Sequence, residues 1–267
     1  MSIVRSGLRA LHLIGAYAIA NTQAAMEYRA AFWVQIGIMF SSDWLWIAFW
    51  WTFFRQFPLG NGWQGSDIVI LWAVTGLASG ISLCVFGNTP RLASLIMNGG
   101  LDVYLGMPRN VLLHVCIAAT DPSSWGDILF ALGAYVLLVR PDPWHIALFL
   151  LLSMLAACIF TAFLIILGSL AFFLGNTEGL AQQMFNALIT FSTYPMSIFD
   201  GTVKLLLFTI IPAGFISFVP LQLLHHFSWS LLAAMIGATL VFVGLAIGLF
   251  HLGLRRYESG NLLGMQG

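Results

Sequence analysis

Residues 144–174 read WHIALFLLLSMLAACIFTAFLIILGSLAFFL, and the run contains no Asp, Glu, Lys or Arg. A helix that crosses a bilayer needs about 20 apolar residues. The run starts after Arg140-Pro141-Asp142-Pro143, a cluster of helix breakers. This stretch makes the chain a membrane protein, and the composition makes it polytopic. Of 267 residues, 60% are hydrophobic and 7% charged, with a mean hydropathy of +0.93. Soluble domains carry about 25% charged residues, so a conventional soluble enzyme is excluded. Disorder is excluded too, because it requires low hydrophobicity and high net charge.

Working outward, a preceding span is expected over 124–139, with Asp127 three residues after Ser124 as in a capping box. Residues 88–123 are too polar to cross lipid. They hold Pro90, Arg91, Asn98, Asp102, Pro108, Arg109, Asp121 and Pro122. They read as two short helices, 90–98 and 109–119, around a Gly99-Gly100-Leu101-Asp102 bend. Further upstream lie a span over 67–87, opened by Ser66-Asp67, a Gly-rich loop from Pro58 to Gly65, and a span over 31–54. That first span carries Asp43 and five tryptophans, Trp33, Trp44, Trp46, Trp50 and Trp51. Residues 4–28 are amphipathic, with Leu8, Leu11, Ile14 and Ala18 at helical spacing and Arg5, Arg9, Asn21 and Glu27 between them. They read as an interfacial helix. Downstream, 144–174 is followed by a moderately polar segment, 179–199, and a last span over 228–253. Between these, 201–224 is apolar but broken by Pro212 and Pro220. As a full span it would give seven crossings and termini on opposite sides. As a re-entrant hairpin it gives six.

The lysine and arginine bias favours the hairpin. With six spans and both termini inside, Arg5, Arg9, Arg29, Arg91, Arg109, Arg255 and Arg256 are cytoplasmic, against Arg55, Arg140 and Lys204 outside, seven to three. No inverted repeat is visible. Met1 to Gly15 lacks the continuous apolar core of a signal peptide, so insertion is expected to be driven by the internal spans.

Several chemistries are missing. Lys204, the only lysine, is followed by Leu205, whereas a phosphate-binding loop needs Ser or Thr after its lysine. No bound cofactor and no metal site are expected. The six histidines show no HExxH spacing, and adjacent His225 and His226 point to different helix faces. Cys84, Cys116 and Cys158 form no disulfide or zinc pattern. Zero net charge gives a nucleic acid no electrostatic footing. Gly80-Ile81-Ser82 with His251 is only a faint echo of a membrane serine protease, so no catalytic residue is assigned. Gly76/Gly80 and Gly244/Gly248 are GxxxG pairs that let helices approach closely, within the chain or between subunits.

Asp43 is the anomaly. A carboxylate at mid-bilayer costs about 2.5–3.5 kcal/mol on insertion scales, so it should face protein or water. It reads either as a contact for a cation or proton, or as a hydrogen-bonded structural group. Trp46 and Trp50 beside it would suit an aromatic cation.

Several motifs, taken together, resemble one family. They are Gly100-Leu101-Asp102-x-Tyr104-Leu105-x-x-Pro108, Asp121-Pro122-Ser123-x-x-Gly126-Asp127 and Thr193-Tyr194-Pro195-x-x-Ile198-Phe199. Ile211-Pro212-Ala213-Gly214-Phe215-Ile216, Val219-Pro220 and the pre-span Glu27-Tyr28-Arg29-Ala30 complete the set. In order and spacing they resemble the six-span permeases of the ABC-2 type, in particular a bacterial subgroup with viologen or drug exporters among its members. The resemblance implies an all-α membrane protein with six transmembrane helices. An N-terminal interfacial helix, a cytoplasmic coupling helix and an extracytoplasmic re-entrant hairpin would complete this type V exporter-like fold.

The resemblance also implies a subunit of the bacterial inner membrane with cytoplasmic termini. It would dimerise with a copy or a sibling and be driven by separate ATPase subunits that hold ATP and magnesium. Arg91, Leu92, Leu95, Ile96, Leu101, Asp102 and Arg109 would then dock on the ATPase. Asp43, Trp46 and Trp50 would line the substrate path, and Tyr194, Pro195 and Phe199 the outer gate. A self-contained secondary transporter or channel is the alternative, and an intramembrane enzyme a more distant one.

Overall fold

Hydrocarbon offers no partner to a backbone N–H or C=O, so an apolar run must close its own hydrogen bonds as a helix. The computed structural model describes residues 2–56, 63, 65–107 and 110–257, and every regular element among them is helical. Pro108, Arg109 and most of the Pro58–Gly65 loop lie outside the described residues, as do the side chains of Arg5, Leu8 and Arg9.

Helix α1 (Ser2–Ala25) passes through a 3-10 turn at Met26–Tyr28 into α2 (Arg29–Gln56). After α3 (Gly65–Val85) come three short helices, α4 (Leu92–Met97), α5 (Asp102–Leu105) and α6 (Val111–Ile117). The expected bend is there, with Gly99 at φ 70°, and α5 is an extra turn of helix beyond the two expected. Then follow α7 (Ser124–Ala134), which widens into a π-helix over Tyr135–Val139, α8 (Pro143–Ser169) and α9 (Ala171–Leu174). The chain continues through α10 (Glu178–Thr193), α11 (Gly201–Thr209), a π-turn at Gly214–Phe218, α12 (Val219–His225) and α13 (Trp229–Leu254).

Among the described residues, four stretches are long and apolar enough to cross a membrane: Ala10–Phe53, Gly65–Val85, Pro143–Leu174 and Trp229–Leu254. The pair Gly201–Thr209 and Gly214–His225 is bent by 84°, at the proline of Ile211-Pro212. Ser124–Val139 is apolar but shorter. The 16 residues of α10 rise only about 24 Å, against a hydrocarbon core of about 30 Å. At about 1.5 Å per residue the 44-residue Ala10–Phe53 stretch is twice too long for one crossing.

Contacts fix the direction of each helix. Asp121 N–H donates to Leu83 O (3.1 Å) and Thr120 Oγ1 to Cys84 O (2.9 Å), so α7 begins where α3 ends. At that same end Leu92 packs on Gly168 of α8, and Phe172 packs on Phe250 of α13. At the opposite end His225 Nε2 lies 2.8 Å from Asp67 Oδ1, and Trp144 meets Phe227. Helices α3 and α8 form the buried centre, around Leu71, Val74, Leu152, Ile159 and Phe160. Helices α2 and α13 lie outside them and keep broad apolar faces exposed, including Trp33, Leu45, Leu240 and Leu245.

Glycines set the closest approaches. A Cβ at Gly80 would stand 2.7 Å from Ile128 Cγ1 and 3.1 Å from Ser124 O, so the Gly76/Gly80 pair packs α3 on α7 within the chain. On the other side of α7, a Cβ at Gly126 would stand 2.7 Å from Ile36 O and 2.9 Å from Phe40 N of α2. Gly244 and Gly248 have nothing within 4 Å.

Two helix starts follow different chemistry. Asp142 caps α8, its Oδ1 accepting from His145 N–H at 2.8 Å and lying 2.6 Å from His145 Nδ1. The His145 backbone N–H, and then its ring, hold that carboxyl below the usual carboxylate range. At α7 the capping-box expectation is corrected. Asp121 Oδ1 accepts from Ser123 N–H (3.0 Å) and Ser123 Oγ (2.8 Å), and Ser124 Oγ donates to Asp121 O. Asp127 is instead turned into the bundle and buried.

Replacing Gly126 by valine should strain the α2–α7 contact by about 1–3 kcal/mol, since overpacking displaces backbone. Thermal unfolding of the purified chain in detergent should show a clear fall in Tm for Gly126→Val and almost none for Gly244→Ala. Equal shifts would contradict the packing described.

Candidate functional site

Asp43 on α2 and Asp127 on α7 face each other because α7 lies close against α2 at Gly126. They are 8% and 4% exposed, and their carboxyl groups lie close to each other. Both groups line a cavity of about 380 Å³ between α2, α3, α7 and α10. Polar walls come from Thr75 and Ser79 of α3 and from Asn186, Thr190 and Thr193 of α10, and aromatic walls from Trp72, Phe130 and Phe185. Asp43 Oδ2 and Trp72 Nε1 are buried without a hydrogen-bond partner. A second cavity, between α3, α6, α8 and α13, is also about 380 Å³ but has almost wholly apolar walls such as Met154, Ala157 and Val243.

The expected path and gate residues gather on this side of the bundle. Trp46 stacks on Trp72 at 6.0 Å between ring centroids, so it forms a second layer behind the cavity wall. Trp50 meets Tyr194 edge-on at 5.3 Å. Phe199 packs on Phe191 of α10 at 5.5 Å, and Pro195 is buried between them in sequence. Tyr194 and Pro195 are extended, with ψ of 146° and 129°, and so end α10.

The expected docking residues divide into two groups. Leu92, Ile96 and Leu101 are buried in the chain's own core, and Leu95 is half-buried over Gly100. They anchor the elbow to the bundle and offer little to a partner, which corrects the expectation of apolar docking contact from Leu92, Ile96 and Leu101. The exposed apolar side chains there are Val103 and Leu105, with Arg91 and Asp102 also exposed. Arg109 lies outside the described residues. Asp102 Oδ1 accepts from Tyr257 Oη at 2.9 Å. Burial, and then Asp102, push the Tyr257 phenol up to about 12. Tyr17 Oη lies 3.2 Å from His114 Nδ1, and Asn21 Nδ2 donates to Ile117 O at 2.9 Å, so α1 is clamped to α6.

A polytopic helical chain whose polar elbow shares one end of the bundle with its last helix now has its counterpart among known families. The model of the ABC-2 family transporter proteins matches residues 42–261. The chain belongs to that family. No curated protein and no solved structure matches it. The family is the membrane component of ABC transporters, is not itself catalytic and partners with an ABC ATPase. The matched range takes in the carboxyl pair, the elbow and Tyr194-Pro195 but excludes α1.

Sequence reasoning singled out Asp43 and missed Asp127. The available signal was a second carboxylate one turn inside an apolar helix, which was assigned to capping instead. If the two stabilise each other, Asp127→Leu should leave Asp43 acceptors buried and unsatisfied, a cost of about 1–3 kcal/mol. The unfolding midpoint in denaturant should fall accordingly, while Asp127→Asn, which keeps a donor, should stay near wild type. An unchanged midpoint for Asp127→Leu would show the pair to be structurally idle.

Proposed function

We propose that this permease forms the translocation path of a bacterial ABC exporter, working as a dimer of identical or sibling chains on two separate ATPase subunits. On this reading α2, α3, α7, α8, α10 and α13 are the six spans, and α11–α12 is a re-entrant hairpin on the outer face. Both termini and the elbow are cytoplasmic, in the inner membrane. Hydrophobic or cationic small molecules, drug-like or viologen-like, pass Asp43, Trp46 and Trp50 and leave past Tyr194, Pro195 and Phe199.

The observation that carries the reading is the elbow. It presents Arg91, Asp102, Val103 and Leu105 outward while Leu92 and Leu101 lock it to α8 and the core. A push on such an exposed, charge-flanked apolar tip is transmitted to the bundle. ATP-driven closure of the motor dimer would then move the spans around the cavity. The buried carboxyl pair by itself also suits a self-contained, proton-coupled transporter.

Co-purification from the native membrane should bring down an ATPase subunit. Val103→Asp with Leu105→Asp should weaken that complex by at least tenfold and abolish ATP-dependent transport without lowering Tm. A chain that purifies alone and transports without ATP would replace this reading with the proton-coupled one.

A further inference from the structure

We propose that the second cavity, a slot between α3, α6, α8 and α13, holds one acyl chain of a bilayer phospholipid from the leaflet at the elbow end of the bundle. The inference goes beyond the translocation-path reading, since it needs neither an ATPase nor a cargo.

The slot runs along a helix. Its α8 wall is Met154, Ala157, Cys158, Thr161, Ala162 and Ile165. Steps of three and four place these side chains on one face. From first to last they rise about 16 Å along the helix axis. The volume of about 380 Å³ is therefore drawn out parallel to a span, the direction in which lipid chains lie. Val243, Ala246 and Ile247 form a matching stripe on α13. Both helices belong to stretches long and apolar enough to cross a membrane. The α3 wall, Ile81, Ser82 and Phe86, lies at the end of that helix, beside the elbow.

The slot also opens sideways. Ala157, Ala162, Ala246 and Cys116 form a buried floor, whereas Met154, Cys158 and Ile247 form an exposed rim. Outside a rim at the depth of two spans lies hydrocarbon, so a chain can slide in from the bilayer.

The chemistry of the walls selects that occupant. Among the described residues none that lines the slot is charged. Ser82 Oγ and Thr161 Oγ1 bond to each other at 2.7 Å, and Asn110 Oδ1 accepts from Leu112 N–H at 3.0 Å. A buried water needs two to four polar partners, which the alanines, Ile165 and Val243 do not offer. An empty slot would forfeit the dispersion contacts of every side chain that lines it. An apolar cavity of about 150 Å³ already stays dry and takes up benzene, and this one is larger. Asn110 is exposed at the elbow end of the slot, where the chain would meet its glycerol and head group. A free fatty acid would bring a carboxylate for which the described walls hold no cation. The open side lets the second chain of a phospholipid remain in the bilayer.

The test uses the full chain in lipid nanodiscs without any ATPase. The probe is a phosphatidylcholine with a diazirine in one acyl chain, and a fatty acid with the same diazirine is the comparison. After irradiation the phospholipid label should concentrate on residues 154–165 and 243–247, at least tenfold above the exposed face of α2 around Leu45. Cys158→Trp, which covers the rim and leaves the floor intact, should lower labelling of the slot at least tenfold with Tm retained. It should leave labelling of α2 unchanged. The map on the unmodified chain guards against a misfolded variant. Label spread evenly over the outer faces of α2 and α13 would show only solvating lipid and overturn the proposal. Stronger labelling of the slot by the fatty acid would overturn it too. So would a Cys158–Cys158 disulfide between two chains on mild oxidation, which would make the slot a contact between copies. Co-purification of an ATPase with an unlabelled slot would overturn this inference and leave the exporter reading standing. A labelled slot in a chain that purifies alone would do the reverse.

Discussion

The close approach of α7 to both α2 and α3 is the constraint on which the rest of the bundle depends. It is possible because Gly126 on one side of α7 and Gly76 and Gly80 facing the other present no side chain. In a bilayer the hydrophobic effect does not drive helices together, so packing of small residues does. That packing sets Asp127 against Asp43 on the wall of one cavity between the outer helix α2 and the centre. A polar group is thereby kept from lipid, and a cavity with polar walls forms between α2, α3, α7 and α10.

The elbow end shows how a partner's motion can reach this cavity. Leu92 fills the space left by Gly168 on α8, and Asn88 Nδ2 donates to Val115 O at 2.8 Å inside the elbow. Tyr257 and Asp102 connect α5 to the end of α13, while Tyr17 and Asn21 connect α6 to α1. Thr89 and Pro90 sit beside Gln182 and Phe185 of α10, and Phe185 also lines the cavity. A displacement of the elbow therefore acts on α10 directly.

The opposite end is closed by contacts between helices far apart in the chain. Asp67 and His225 join α3 to α12, and Trp50 leans on Tyr194. The backbone is extended at Tyr194-Pro195 and sharply bent at Pro212. Prolines deprive these turns of N–H donors, so irregular backbone is held by burial: Ala213, Ile216 and Leu223 are in the core. Such backbone is tolerated at membrane depth only under cover of protein or beside a cavity.

The helical class was legible in the sequence, because lipid leaves an apolar run no alternative to a helix. The start of α8 after Asp142 and the bend at Gly99-Gly100 are local chemistry, written in neighbouring residues. Asp127 was not legible, since its spacing from Ser124 satisfies a capping pattern that Asp121 in fact replaces. Leu92 and Leu101 were equally ambiguous, for an apolar residue in a polar segment can face a partner or its own core. Only the tertiary structure decided these cases. Whether a side chain meets lipid, partner, core or a second carboxylate depends on which helix lies beside it, and that is set by glycines and contacts far apart in the chain.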